Sequence, residues 1–212
     1  MKEETDLAWF RELSTDLVNQ WHDYLEFECL FYGTEARVAL LNRVAKHFFG
    51  ELFFAHLDRV VLAVSRLTDP AGSGNRQNLS IWAVHGHYAS ISSYPSESFG
   101  RVATAATIAR SHTAKWRNKR IAHPDAKAVL NKTNLGEIRP AVLRDFYEQC
   151  GKYVSDLSEA LGQGLFPVDT VSQHGAEDLV TWLKRAVATR DAPGFDIAVE
   201  LEQLSGGEYA DA

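Results

Sequence analysis

The stretch Arg117-Asn118-Lys119-Arg120-Ile121-Ala122-His123-Pro124-Asp125 holds the side chains best suited to chemistry in this 212-residue chain. An imidazole such as that of His123 takes or gives a proton near neutral pH. The Arg117 guanidinium is a planar fork of N–H donors that matches a phosphate or a carboxylate. Five residues separate the two, and Asn118 adds an amide beside the arginine. A proton carrier and an anion clamp on one short segment suit reactions at an anionic centre. The bland reading stands beside this one. Cations at a helix C-terminus offset the negative end of the helix dipole, and Pro124 after His123 is an ordinary helix stop.

A helix must carry these residues. The pattern from Ser96 or Ser98 to Pro124 predicts one, with Val102, Ala105, Ala109, His112, Trp116, Lys119, Arg120 and His123 in a single stripe. The stripe is apolar and small at its start, cationic and imidazole-bearing at its end, which would bring a site to the end of a packed bundle. On a regular helix Arg117 and His123 lie about 120° apart, so one chain does not align them well.

Helical periodicity extends through nearly the whole chain. Leu7, Phe10, Leu13, Leu17, Trp21 and Tyr24 predict a first helix from about Asp6 to Tyr32. Gly33 and Thr34 suit a helix stop and a new N-cap, so the next helix is an antiparallel neighbour. That second run, Glu35 to Leu67, would be about 50 Å long if unbroken, with Gly50 the expected kink. Thr68-Asp69-Pro70 ends it, because proline disfavours helix in the residue before it. A flexible loop over 71–76, a short helix within 78–91, and helices over 140–162 and about 176–189 complete the pattern. Strands alternating with helices are absent, so the expected fold is an all-α antiparallel bundle of four long helices with shorter ones.

Composition sets the class. Hydrophobic residues make up 45% and charged residues 24%, which excludes wholesale disorder. The net charge of −6 counts, at first sight, against nucleic acid as a partner. Its distribution reverses that. Asp191, Asp196, Glu200, Glu202, Glu208 and Asp211 stand in residues 191–212 with no base, so residues 1–190 are neutral. Within those, residues 101–132 hold eight cations against Asp125 alone. The division expected is a helical domain over 1–190 and an acidic tail over 191–212. No secretory signal or membrane-length apolar run is visible, so a cytoplasmic protein away from membranes is expected. Cys29 and Cys150 read as buried free thiols.

Arg117-Asn118-x4-His123, with Ser65-Arg66-Leu67-Thr68-Asp69-Pro70, resembles the signature of the HEPN superfamily in its AbiU-type branch, linked to abortive infection by phage. The resemblance covers about residues 30–190. It implies a four-helix bundle that dimerises with its two motif copies facing, and an RNA endonuclease needing neither metal nor other cofactor. His123 would then be the general acid/base at the ribose 2′-OH, Arg117 the phosphate clamp and Asn118 an orienting polar group. Lys115, Lys119, Arg120 and His112 would bind RNA, and Trp116 would stack on a base or pack in the core. Partners implied are RNA, a second copy, and an antitoxin or regulatory protein. A non-catalytic module binding RNA, nucleotide or protein is the alternative, and a helical protein docking an acidic segment is a third reading.

Other constellations are weaker. His85-Gly86-His87 has no third ligand nearby and reads as a surface loop. His47 and His56 read as helix-surface or satisfied core residues, and Phe48, Phe49, Phe53 and Phe54 as core or dimer interface. Glu26 and Glu28 could face the site, with nothing in the sequence to decide it. The tail yields a test. If residues 191–212 compete with RNA for the basic segment, truncation after Arg190 raises RNA affinity at low salt in a fluorescence-anisotropy titration, and unchanged affinity refutes the idea.

Overall fold

A computed structural model describes residues 7–73, 75–121, 134–164, 166 and 175–196. They form an all-α bundle. Helix α1 is Ala8–Phe31, α2 is Glu35–Thr68, α3 is Ile81–Tyr88, α4 is Ser96–Trp116, α5 is Pro140–Ala160 and α6 is Gly175–Arg190. Residues 71–76 are not simply a loop: β1 (Gly72–Ser73) pairs antiparallel with β2 (Arg76–Gln77).

The boundaries have local causes. Tyr32, Gly33 and Thr34 alone join α1 to α2, and the Thr34 hydroxyl accepts the Arg37 N–H at 3.2 Å as an N-cap. Ser80 caps α3 through the Ala83 N–H. Pro140 opens α5, where its missing N–H costs nothing, and Gly162 and Gly164 follow that helix at positive φ.

Helices α1, α2, α4 and α5 pack in that cyclic order around one core. Leu13, Leu17, Tyr24 and Phe27 enter from α1 and Leu57, Val61, Val64 and Leu67 from α2. Helix α4 contributes Val102, Ala105, Ala106 and Ala109, small side chains that fit the bulky Phe146, Tyr147, Tyr153 and Leu157 of α5. Cys150 lies in this core, where burial pushes its thiol pKa up. Cys29, expected buried, is only half-buried, with its sulfur 3.1 Å from Arg37 Nη1.

The kink in α2 is at Ala45 (φ −156°, ψ 72°), not at Gly50, which remains helical. The break separates two packing jobs. Below it, Leu40 packs on Leu30, Ala176 and Val180, the small cluster that seats α6. Above it, Leu57 to Leu67 belong to the main core.

Ion pairs Asp16–Arg66 and Asp23–Arg59 run along the α1–α2 seam. His56 sits there, half-buried, with its ring near those of Phe27 and Phe31. Burial, then the Arg59 charge, hold its pKa below the usual 6.5, while Asp23 and Glu26 pull weakly the other way. The neutral imidazole is thus favoured in the folded state, and the unfolded chain binds a proton first as pH falls. Stability should therefore decline as pH drops below about 6.5, down to the folded pKa. His56→Gln should flatten that decline in urea denaturation compared at pH 7.5 and 5.5.

Candidate functional site

The motif lies where α4 changes geometry. Val102, Ala105 and Ala109 are buried, His112 and Trp116 half-buried, as the stripe requires. The α-helix then stops at Trp116 instead of running to Pro124. Arg117–Ile121 form a π-helical turn, with i→i+5 hydrogen bonding. The step of about 100° per residue in a regular helix therefore does not hold over Arg117–Ile121. His123 itself, with Pro124 and Asp125, lies outside the described residues.

Two elements hold the turn in place. The C-terminal carbonyl of α2, Thr68 O, accepts the Trp82 indole N–H at 3.1 Å and Arg110 Nη1 at 2.6 Å. Pro70 has ended α2, so Asp69 is extended (φ −66°, ψ 148°), and its carboxylate meets α4. One oxygen is 3.2 Å from Arg110 Nη1, the other 3.8 Å from Arg117 Nη2. Arg117 Nη1 is 3.4 Å from the Asn118 side-chain oxygen, so the fork is flanked on both sides. Arg120 lies 3.5 Å from Asp58 and stacks over Phe54 at 4.5 Å and Trp116 at 5.5 Å. Such stacking suits a guanidinium, whose charge the ring faces attract.

The chain after residue 133 docks on the same helix. Trp116 Nε1 donates to Gly136 O at 3.0 Å, and His112 Nδ1 to Glu137 O at 3.1 Å. Gly136 has φ +87°, and its N–H donates to the Asn134 side chain at 2.8 Å, a tight turn that a side chain would strain. His112 and Trp116, two of the expected RNA contacts, thus have internal partners. Lys115, Asn118 and Lys119 are exposed, and Arg117 and Arg120 are half-exposed.

The cationic excess read along the sequence is diluted in space. Arg101 pairs with Glu97, Arg110 and Arg117 share Asp69, and Arg120 meets Asp58. Asp58 was not among the expected site residues. Asp69 stands in the sequence only as part of a helix stop and of the Ser65–Pro70 segment. Neither contact is legible from spacing, because both cross from α2 to α4.

The remaining constellations resolve differently. His85 and His87 are on α3, not in a loop. His85 Nδ1 is 2.7 Å from the Tyr94 hydroxyl and its ring stacks on Phe99, while His87 stacks on Trp9. Among the described residues, no three His, Cys, Asp or Glu side chains could hold a metal. Glu28 pairs with Arg144 of α5, and with Glu26, Arg37 and Glu177 lines a cavity of about 420 Å³ that includes no residue of the 117–121 turn. Of the four phenylalanines, Phe49 is buried and Phe53 half-buried, while Phe48 is 62% exposed and Phe54 41%. No described helix is long and apolar enough to cross a membrane.

Residues 102–181 match the family model HEPN_AbiU2, described as AbiU2. This segment is similar to the AbiU-type branch of the HEPN superfamily. The match takes in most of α4, the π turn with Arg117, the His123 position, α5 and the start of α6. It is narrower than residues 30–190, and the Ser65–Pro70 segment lies outside it. No curated protein and no solved structure matches the chain.

The shared Thr68 and Asp69 acceptors make Arg110 the brace of this turn. Arg110→Met should lower stability by about 1–3 kcal/mol, the usual range for a lost charged hydrogen bond, and speed amide exchange selectively around residues 113–121. Hydrogen–deuterium exchange with mass spectrometry reads this, and exchange that rises evenly over the whole chain contradicts it.

Proposed function

We propose that this abortive-infection-related HEPN protein is a metal-independent RNA endonuclease, acting in phage defence or as a toxin and working as a dimer with its motif copies facing. The observation that carries the reading is the half-exposed Arg117 fork on a π turn inside the matched segment. RNA supplies its own nucleophile. His123 accepts the 2′-OH proton as the 2′ oxygen bonds to phosphorus, and the bond to the 5′ oxygen breaks. The leaving 5′ oxygen takes a proton, from His123 of the facing copy or from water. The products are a 2′,3′-cyclic phosphate and a 5′-hydroxyl. Arg117 offsets the charge that builds on the phosphoryl oxygens, and Asn118 orients the fork. Lys115 and Lys119 supply sequence-independent attraction to the backbone. Arg120, stacked on Phe54 and Trp116, shapes the turn as well as adding charge.

A second reading has its own support. Arg117 already has a carboxylate and an amide oxygen beside it, which fits a module that binds RNA, nucleotide or an antitoxin-like protein without cleaving. Incubation of RNA in EDTA separates the two. The nuclease reading expects cyclic-phosphate ends, with cleavage reduced about 100-fold or more by Arg117→Ala and by His123→Ala. Cleavage that persists in both variants rejects it, and RNA binding without cleavage in the wild type selects the module.

A further inference from the structure

We infer that Asp69, at the end of α2, is a positioning residue that aims the Arg117 guanidinium at the scissile phosphate. The inference rests on the RNA-directed reading of the motif and deepens it. Asp69 has no freedom to wander. Pro70 fixes the backbone behind it, and Arg110 holds one carboxylate oxygen while also bonding the neighbouring Thr68 carbonyl. Arg110 is thereby a fixed brace. The other oxygen faces Arg117 at 3.8 Å, too long for a hydrogen bond and short enough to orient a charge. On the opposite flank, Asn118 receives the second amino group of the fork.

The charge count supports aiming over neutralising. Arg110, Arg117 and Asp69 together carry a net single positive charge, so Arg117 remains attractive to a phosphate. Were Asp69 paired with Arg117 alone, the pair would be neutral. Sharing the carboxylate with a buttressed second arginine leaves the outer contact loose. A phosphate can then take the N–H groups of Arg117 that Asp69 and Asn118 do not use. As a stability device, an ion pair this exposed contributes little. Orientation is what the geometry provides.

The test uses the full chain, with Asp69→Asn, Asp69→Glu, Arg117→Ala and the Asp69→Asn/Arg117→Ala pair. The ligands are a cleavable RNA and its 2′-O-methyl counterpart, which lacks the nucleophile. Asp69→Asn should slow single-turnover cleavage at saturating RNA by about tenfold or more, with affinity for the 2′-O-methyl RNA kept within about threefold. Asp69→Glu should recover part of the rate. In the Arg117→Ala background, Asp69→Asn should cost nothing further. An unchanged rate, or an equal loss in both backgrounds, overturns the inference. Loss of rate and affinity together, with a lowered melting temperature, also overturns it in favour of a structural role.

If the wild type binds RNA without cleaving, the nuclease reading falls and a second readout decides for Asp69. Bound 2′-O-methyl RNA should protect Arg117 from an arginine-directed dicarbonyl reagent in the wild type, and much less in Asp69→Asn. Equal protection in the two overturns the inference. Failure of the wild type to bind either RNA at low salt removes both.

Discussion

One backbone carbonyl organises the motif end of this protein. The last carbonyls of an α-helix have no partner within the helix, and each can accept two hydrogen bonds. Thr68 O fills both places with side chains from two other elements, Trp82 of α3 and Arg110 of α4. The end of α2 therefore fixes where α3 begins to pack and how α4 is rotated. Pro70 makes the arrangement obligatory, since it forbids α2 to continue and consume that carbonyl. Asp69 is extended for the same reason, and in that conformation its carboxylate meets Arg110 of α4. The position of Arg117 follows from this chain of constraints rather than from its own helix alone.

The four-helix core and this latch divide the work. Tyr147, Phe146, Tyr153 and Leu157 of α5 fill the volume that the alanines of α4 leave open, which sets the separation of the two helices. Separation alone does not specify rotation about the helix axis. Directional contacts do so: Arg110 to Thr68 and Asp69 at one place, His112 and Trp116 to Glu137 and Gly136 at another. The π turn begins immediately after Trp116, where the last of these contacts is made. The change of geometry thus falls where core packing ends and polar anchoring takes over.

What could be read from the sequence was what repeats locally. Helix positions, the Thr34 cap, the stop at Pro70 and the buried face of α4 each follow from periodicity or from one residue's chemistry, and they are found as expected. Gly50 misled because propensity is a local quantity, whereas the kink at Ala45 answers to two separate cores on one helix. The motif residues were legible as types. Their surroundings were not, since Asp58 is 62 residues from Arg120 and Asp69 is 48 from Arg117, adjacent only through the α2–α4 packing. A wheel drawn to Pro124 also assumed one helical period where two operate.

The interleaved acids bear on how a cationic turn can exist at all. Arg110, Lys115, Arg117, Lys119 and Arg120 fall within eleven residues, closer together than or comparable to the roughly 8–10 Å over which salt screens charge. Unrelieved, they would repel one another and favour fraying of the turn that must hold Arg117. Asp69, through Arg110, and Asp58, through Arg120, relieve part of that repulsion from the α2 side, so the relief is present only when α2 and α4 are packed. Lys115, Asn118 and Lys119 face solvent on the same segment, keeping a cationic side outward. The fold therefore supplies the counter-charges from within and leaves the outward side for an anion. For this reason the net charge of the chain says little about what the turn attracts.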